Sequence, residues 1–205
     1  EEFCWAIGQT NSFELGRTIW QEKKSLGDDI NRDMMKKFRL YMIVGGMPQA
    51  VEAFIKTNNF SKVDLVKRDI LKLYENDFMK FDSSGRSSLI FDHIPAELQK
   101  NASRYQISSV IENARAGTML ERVAKLQDSK TVNIAYHANA PEAGLSQNID
   151  LEKFKLFLCD TGLFVTLCFK DKEFTENIIY EKLLSDKIQA NLGYVYENVV
   201  AQMLV

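Results

Sequence analysis

Apolar positions recur every three or four residues through most of this chain and alternate in only two short segments. Over 31–44, Met34, Met35, Phe38, Tyr41 and Met42 share one helical face while Arg32, Lys36, Lys37 and Arg39 take the other, which predicts an amphipathic helix. Gly45-Gly46 ends it. Pro48 then stands where its fixed φ suits the first turn of a second helix, about 48–57, with Ala50, Val51, Phe54 and Ile55 inward. A third pattern runs to about Phe81. Val63, Val66, Ile70, Leu73, Tyr74 and Phe81 fall on one face, and Ser61 with Asp64 forms an S-x-x-D capping box at its start. Asp77 falls in the middle of that apolar face and Asp69 at its edge. A carboxylate on a buried face is costly unless paired or hydrogen-bonded. Asp77 is therefore expected to be a structural acceptor or part of a site at a domain junction.

Asp82-Ser83-Ser84-Gly85 is polar and reads as a domain boundary. Beyond it the pattern predicts a helix over 86–100, broken or kinked by Pro95. A second box, Ser109 and Glu112, opens a short helix over 109–116. After Gly117 a third box, Thr118 and Glu121, opens a helix to about Asp128 with Met119, Leu120, Val123 and Leu126 inward. Two short helices joined at a glycine are the sequence form of a helix-turn-helix. Val132, Ile134 and Tyr136 alternate and predict a strand over 131–136. A polar loop, 137–153, carries Pro141 and Gly144, and 154–159 returns as a strand. A helix-turn-helix followed by a two-stranded ribbon predicts a winged helix. The last block, 174–205, is helical. Leu192, Val195, Tyr196, Val199, Val200 and Met203 form one stripe there, and Glu197 points away from it. Residues 1–8 are aromatic-rich and are expected to finish an upstream unit, with 9–30 as a connection.

Composition narrows the function. With 205 residues, 45% hydrophobic and 26% charged, the chain can bury a sizeable core. The 26 Lys+Arg against 28 Asp+Glu leave a net charge of −2, which excludes coating nucleic acid by bulk charge. A local face remains open. Arg122 and Lys125 lie outward on the second helix of the helix-turn-helix, with Arg115 just before it and Arg104 near the start of the block. These four are the candidates for contacts to phosphates or base edges. Glu121, Asp128, Glu142, Asp150 and Glu152 share the region and oppose a strong positive field. A protein–protein or intramolecular role for the winged helix is the competing expectation.

Three cysteines without a CxxC pair, and only two histidines, cannot assemble a zinc site, and reduced thiols fit a cytoplasmic protein. No apolar run approaches the ~18 residues of a membrane span, so no membrane partner is expected. The sequence holds no GxxxxGK[ST], GxGxxG, GxSxG or HExxH string. It is expected to carry no cofactor and to catalyse nothing by itself. It begins without methionine and stops inside an apolar helical pattern, so both ends are expected to be cuts through a longer protein.

Three stretches, YMIVGGMPQAV, LVKRDILKLYENDFMKF, and KFKLFLCDTGLF followed by LGYVYENVVAQML, resemble the prokaryotic AAA-type ATPases that end in a C-terminal domain of unknown function. In that family a P-loop core is followed by a helical lid, a winged helix and a restriction-endonuclease-like domain. The GG-x-P lid string falls on Gly45, Gly46 and Pro48, and x-x-Y-x-x-D on Tyr74 and Asp77. K-[FL]-x-x-x-D-x-G-L falls on Lys155, Asp160, Gly162 and Leu163, and G-x-x-x-E-N on Gly193, Glu197 and Asn198.

The resemblance implies a mainly α fold with a small β component: the end of an ATPase core and a linker (1–30), a helical lid bundle (31–82), a winged helix-turn-helix domain (86–170), and the start of a truncated third domain (174–205). It implies a non-catalytic C-terminal portion of an ATPase that couples nucleotide state to a DNA or protein partner. ATP and Mg2+ would belong to an upstream core. Gly45, Gly46, Pro48 and Asp77 would be lid or junction residues. Glu197 would be the helix carboxylate of a PD-(D/E)XK-like metal site whose partners lie downstream. The alternatives are a protein-interaction module that binds no nucleic acid, or the start of such a nuclease domain.

Overall fold

The computed structural model describes residues 1–9, 12–139, 148–171, 177–185 and 193–205. The chain is mainly helical with one two-stranded antiparallel sheet. In order run α1 (Glu2–Ala6), α2 (Ser12–Gln21), α3 (Asp28–Val44), α4 (Pro48–Thr57), α5 (Phe60–Phe81), α6 (Arg86–Asp92), α7 (Ile94–Gln99), α8 (Ile107–Val110), α9 (Ala116–Asp128), β1 (Val132–Ala138), β2 (Ile149–Leu158), α10 (Thr161–Cys168), α11 (Asn177–Leu184) and α12 (Gly193–Met203). Pro141, Glu142, Gly144 and Leu192 lie outside the described residues. Among the described residues no helix is long and apolar enough to cross a membrane.

Local chemistry sets most boundaries. Gly45 ends α3 at φ 84, a value that side chains rarely adopt, and Pro48 opens α4. The stretch expected to be a bare connection contains α2. Helix α5 is not opened by the Ser61–Asp64 box. Asn59 is its N-cap, accepting the Ser61 N–H at 2.9 Å and the Lys62 N–H at 3.3 Å. The predicted helix over 86–100 breaks at His93, one residue before α7 and two before Pro95. The Ser109–Glu112 box does not form. Helix α8 is a single turn, and the Ser109 hydroxyl donates to Glu97 at 2.6 Å. Nor does the Thr118–Glu121 box open α9: Arg115 is its N-cap, Gly117 lies inside the helix, and Thr118, its third residue, accepts the Arg115 N–H at 3.3 Å. Strand β2 begins earlier than expected, and the ribbon shifts register between Tyr136, paired with Phe154, and His137, paired with Asp150.

Helix α10 is the post around which the rest is arranged. Residues Thr161 to Leu167 are all buried, as expected of a helix apolar on every side. It packs against α3, α5, α7, α12 and β2. One core runs from Met42 through Phe78, Phe91 and Leu126 to Val199, and so spans both sides of the Asp82–Gly85 stretch. Phe78 and Phe91 meet edge to face at 5.2 Å.

Asp82 organises its own stretch. Its carboxylate accepts the Ser87 N–H and hydroxyl, both at 2.8 Å, and the Arg122 Nε–H at 3.1 Å, besides Ser84. Burial disfavours its charge, but the bonds from Ser84, Ser87 and Arg122 outweigh that and hold the carboxyl well below its ordinary range. Asp82→Ala is expected to destabilise the fold by about 2–4 kcal/mol, because buried donors lose a charged acceptor. Because the folded-state pKa is depressed, the wild-type advantage should be present above pH ~4 and fade as pH falls below it. Urea midpoints at pH 7 and pH 3 check both statements.

Candidate functional site

Strings far apart in the sequence meet at one buried carboxylate. Asp160, 3% exposed, is the N-cap of α10. One oxygen accepts the Leu163 N–H at 2.8 Å and the other accepts the Gly46 N–H at 2.6 Å, so a residue of β2's end grips the turn between α3 and α4. The backbones approach so closely that only glycine fits. A Cβ on Gly162 would lie 2.5 Å from the Gly45 nitrogen and 2.5 Å from the Val44 oxygen, and one on Gly45 would run into the Asp160 carboxylate. Burial raises the Asp160 carboxyl, opposed by the Gly46 and Leu163 N–H groups and by the nearby Lys67 ammonium.

Helix α12 locks the same place from a third side. Asn198 accepts the Leu158 N–H at 2.8 Å and donates back to the Leu158 carbonyl at 3.3 Å, as a strand neighbour would. Gln202 accepts the Thr161 N–H at 3.1 Å and hydroxyl at 2.7 Å, and donates to the Tyr41 hydroxyl at 2.8 Å. Glu197 pairs with Lys155 at 2.6 Å. The GG-x-P, D-x-G-L and E-N strings are thus parts of one joint.

Beneath the joint lies a buried charge cluster that the sequence reading did not find. Lys67 of α5 is fully buried and donates to the Ile43 carbonyl at 2.7 Å and the Gly162 carbonyl at 3.2 Å. Burial pushes its ammonium down to about 8, against the support of Asp64 and Asp160. Asp64, also fully buried, accepts from Arg68 at 2.7 Å, from the Tyr180 hydroxyl at 2.6 Å and from Thr166 at 3.2 Å. The signal was present: Asp64, Lys67 and Arg68 sit at i, i+3 and i+4 among Val63, Ile70 and Leu71.

Other expected sites fall elsewhere. Asp77 is exposed and pairs with Lys80 at 2.6 Å, and Asp69 is exposed and pairs with Lys72 at 3.6 Å. Leu73 is exposed as well, because the buried face of α5 runs through Val63, Lys67, Ile70, Leu71 and Phe78 instead. Asp77→Ala is accordingly expected to move stability by no more than ~0.5 kcal/mol, as exposed ion pairs on one helix contribute little. A chemical denaturation curve checks this. Of the four basic candidates, Arg104 and Arg115 are exposed. Arg122 is not outward but half-buried on Asp82, and Lys125 pairs with Glu121 at 2.7 Å. Val200 and Met203, expected on the buried stripe of α12, are exposed, and Asn198 is buried in their place.

The joint does not suit a phosphate group. The Gly45 N–H donates to the Tyr41 carbonyl and the Gly46 N–H to Asp160, so neither is available to cradle an anion, and a carboxylate stands where the anion would. Glu197 faces an ammonium, and among the described residues no three His, Cys, Asp or Glu side chains converge on a metal position. Cys4, Cys159 and Cys168 are free thiols, and burial pushes Cys159 up to about 11, away from a reactive thiolate.

Fold and site together define a mainly helical protein in which the turn between α3 and α4, the end of the β ribbon, α10 and α12 are pinned at one buried joint. The chain belongs to the family described as a domain of unknown function, DUF8612, whose model matches residues 35–173. That match takes in Gly45, Gly46, Lys67, Asp160 and Gly162. No curated protein and no solved structure matches the chain.

Proposed function

We propose that this chain is the non-catalytic C-terminal portion of an AAA-type ATPase, and that it transmits nucleotide-dependent movement to a protein partner through its winged helix. The observation that carries the reading is the joint at Asp160. Helices α3 and α4, which stand in the lid positions of the resemblance, are hydrogen-bonded through one carboxylate to the helix that follows the ribbon. A displacement of the Gly45–Gly46 turn must move α10 and the base of β2 with it. A protein partner is favoured over DNA because Arg122 and Lys125 are held by carboxylates of this chain, which leaves Arg104 and Arg115 to meet a phosphate backbone.

Hydrogen exchange on the full-length gene product, with and without ATP and Mg2+, tests the coupling. The expected result is altered protection in β2 that Asp160→Asn abolishes. A product with no nucleotide response overturns the ATPase reading. Salt-dependent duplex-DNA binding that drops at least tenfold in an Arg104→Ala/Arg115→Ala double variant would replace the protein partner with DNA.

A further inference from the structure

Between α1, α3 and α4 the surface opens into a cleft of about 1270 Å³ with apolar walls, among them Met34, Met35, Phe38, Met47 and Ile55. Helix α2 follows α1 and precedes α3, so each of its ends is tethered to a helix that lines the opening.

One face of α2 is apolar. At 100° per residue Leu15, Gly16, Ile19 and Trp20 fall within a single stripe, and Glu14, Arg17, Thr18 and Gln21 take the other side. That stripe is largely bare, with Trp20 81% exposed and Leu15 48%. Its middle already rests on the cleft wall, where a Cβ on Gly16 would lie 3.3 Å from the Met34 methyl carbon. Arg17 holds Glu1, another residue of the lining, at 2.7 Å. Helix α2 is thus seated on the rim while its largest apolar side chains stay in water. A bare apolar stripe beside an apolar cleft is a pair of surfaces whose mutual burial is favourable.

The connections permit the movement. Gly8 stands between α1 and α2 at φ 76, and Gly27 between α2 and α3 at φ 72. A Cβ at either position would meet nothing within 4 Å. At Gly45 and Gly162 a close approach demands glycine, whereas at Gly8 and Gly27 it supplies backbone freedom alone, as a hinge needs.

We propose that α2 is a hinged lid, closing about Gly8 and Gly27 to lay Leu15, Ile19 and Trp20 on the walls of the cleft. The chain itself then fills the cleft, and any other apolar ligand or segment must displace α2 to enter. The lid does not depend on the ATPase reading, since it rests on the cleft, the bare stripe and the two hinges.

The chain has two tryptophans, so Trp5→Phe leaves Trp20 as its single indole. Acrylamide quenching of that protein reads the position of the lid. Ile55→Glu, at a wall residue 52% exposed, is expected to raise the quenching constant at least threefold, because a charge on the wall keeps the lid open. Leu73→Glu, outside the cleft lining, should leave it unchanged. The cleft is read separately with anilinonaphthalene sulfonate, a dye that brightens on apolar surface. Leu15→Ser/Trp20→Ser, at two exposed positions, should raise the dye signal at least threefold over the wild type, and adding Ile55→Glu should cancel that gain. Quenching that Ile55→Glu leaves unchanged, or a dye signal that the serine pair leaves unchanged, overturns the proposal. So does protection of Trp20 that grows with protein concentration, because Trp20 would then lie in the cleft of a second copy.

Discussion

Gly162→Ala is expected to leave little folded protein, costing about 3 kcal/mol or more. The added methyl group would meet backbone on the facing side, with the Gly45 nitrogen and Val44 oxygen each 2.5 Å away. A flexible side chain can rotate out of such a contact, whereas a backbone cannot. The turn and α10 would have to separate, which lengthens the Gly46 bond to Asp160 and pulls apart the Ile43 and Gly162 carbonyls that Lys67 bridges. Overpacking in a close-packed site costs about 1–3 kcal/mol by itself, and the loosened buried hydrogen bonds add to it. Thermal unfolding followed by circular dichroism gives the readout. A variant melting within ~2 °C of the wild type would show that the approach is looser than described.

Lys67→Ala is expected to cost about 3–5 kcal/mol at pH 7. It strips two buried carbonyls of their donor, removes a buried cation whose charge supports Asp64 and Asp160, and leaves a cavity. Lys67→Met keeps the apolar stem and should cost less. The pair also yields a pH signature. The folded pKa lies near 8 and the unfolded one near 10.4, so between them the unfolded chain binds the proton more tightly. Stability contributed by Lys67 therefore rises across that window, because the folded protein no longer holds a buried charge. At ~1.4 kcal/mol for each pH unit, the gap between wild type and Lys67→Met should widen by about 3 kcal/mol from pH 8 to pH 10.5. Urea midpoints of both proteins across that range decide it. A gap that stays constant would mean that Asp64 and Asp160 hold the ammonium charged throughout.

The helical block was readable because its punctuation is local. Gly45-Gly46 and Pro48 mark their boundaries within a residue or two of where α3 ends and α4 begins, and alternation in Val132, Ile134 and Tyr136 marks β1. The phase of α5 was misread because apolar residues cover more than half its circumference. The face drawn through Val66, Leu73 and Asp77 left Lys67, Leu71 and Phe78 out. Only tertiary packing distinguishes the two rotations, since Lys67 is buried by partners at 43, 162 and 180. The joint shows the same limit. Its residues stand out in the strings YMIVGGMPQAV and KFKLFLCDTGLF, but nothing local says that Gly46 and Asp160 share a hydrogen bond across 114 positions. The basic candidates erred in another way. Arg122 stands three residues after Met119 and four before Leu126, both buried, so helical spacing itself sets it beside the buried face, where it meets the Asp82 carboxylate.

The order in which the chain leaves the ribosome meets this joint awkwardly. Helices α4 and α5 are neighbours in sequence and can pair as soon as both are made. The Gly45–Gly46 turn must wait for Asp160, and Tyr41 waits for Gln202, 161 residues later. Until α12 arrives, the end of β2, the first turn of α10 and the Tyr41 hydroxyl all lack their partners. The nascent chain therefore carries an early helical hairpin and an unsealed centre until Gln202 emerges, 161 residues after Tyr41. Closure waits for α12, and a ribosome stalled before it would present an open α10 to chaperones and proteases.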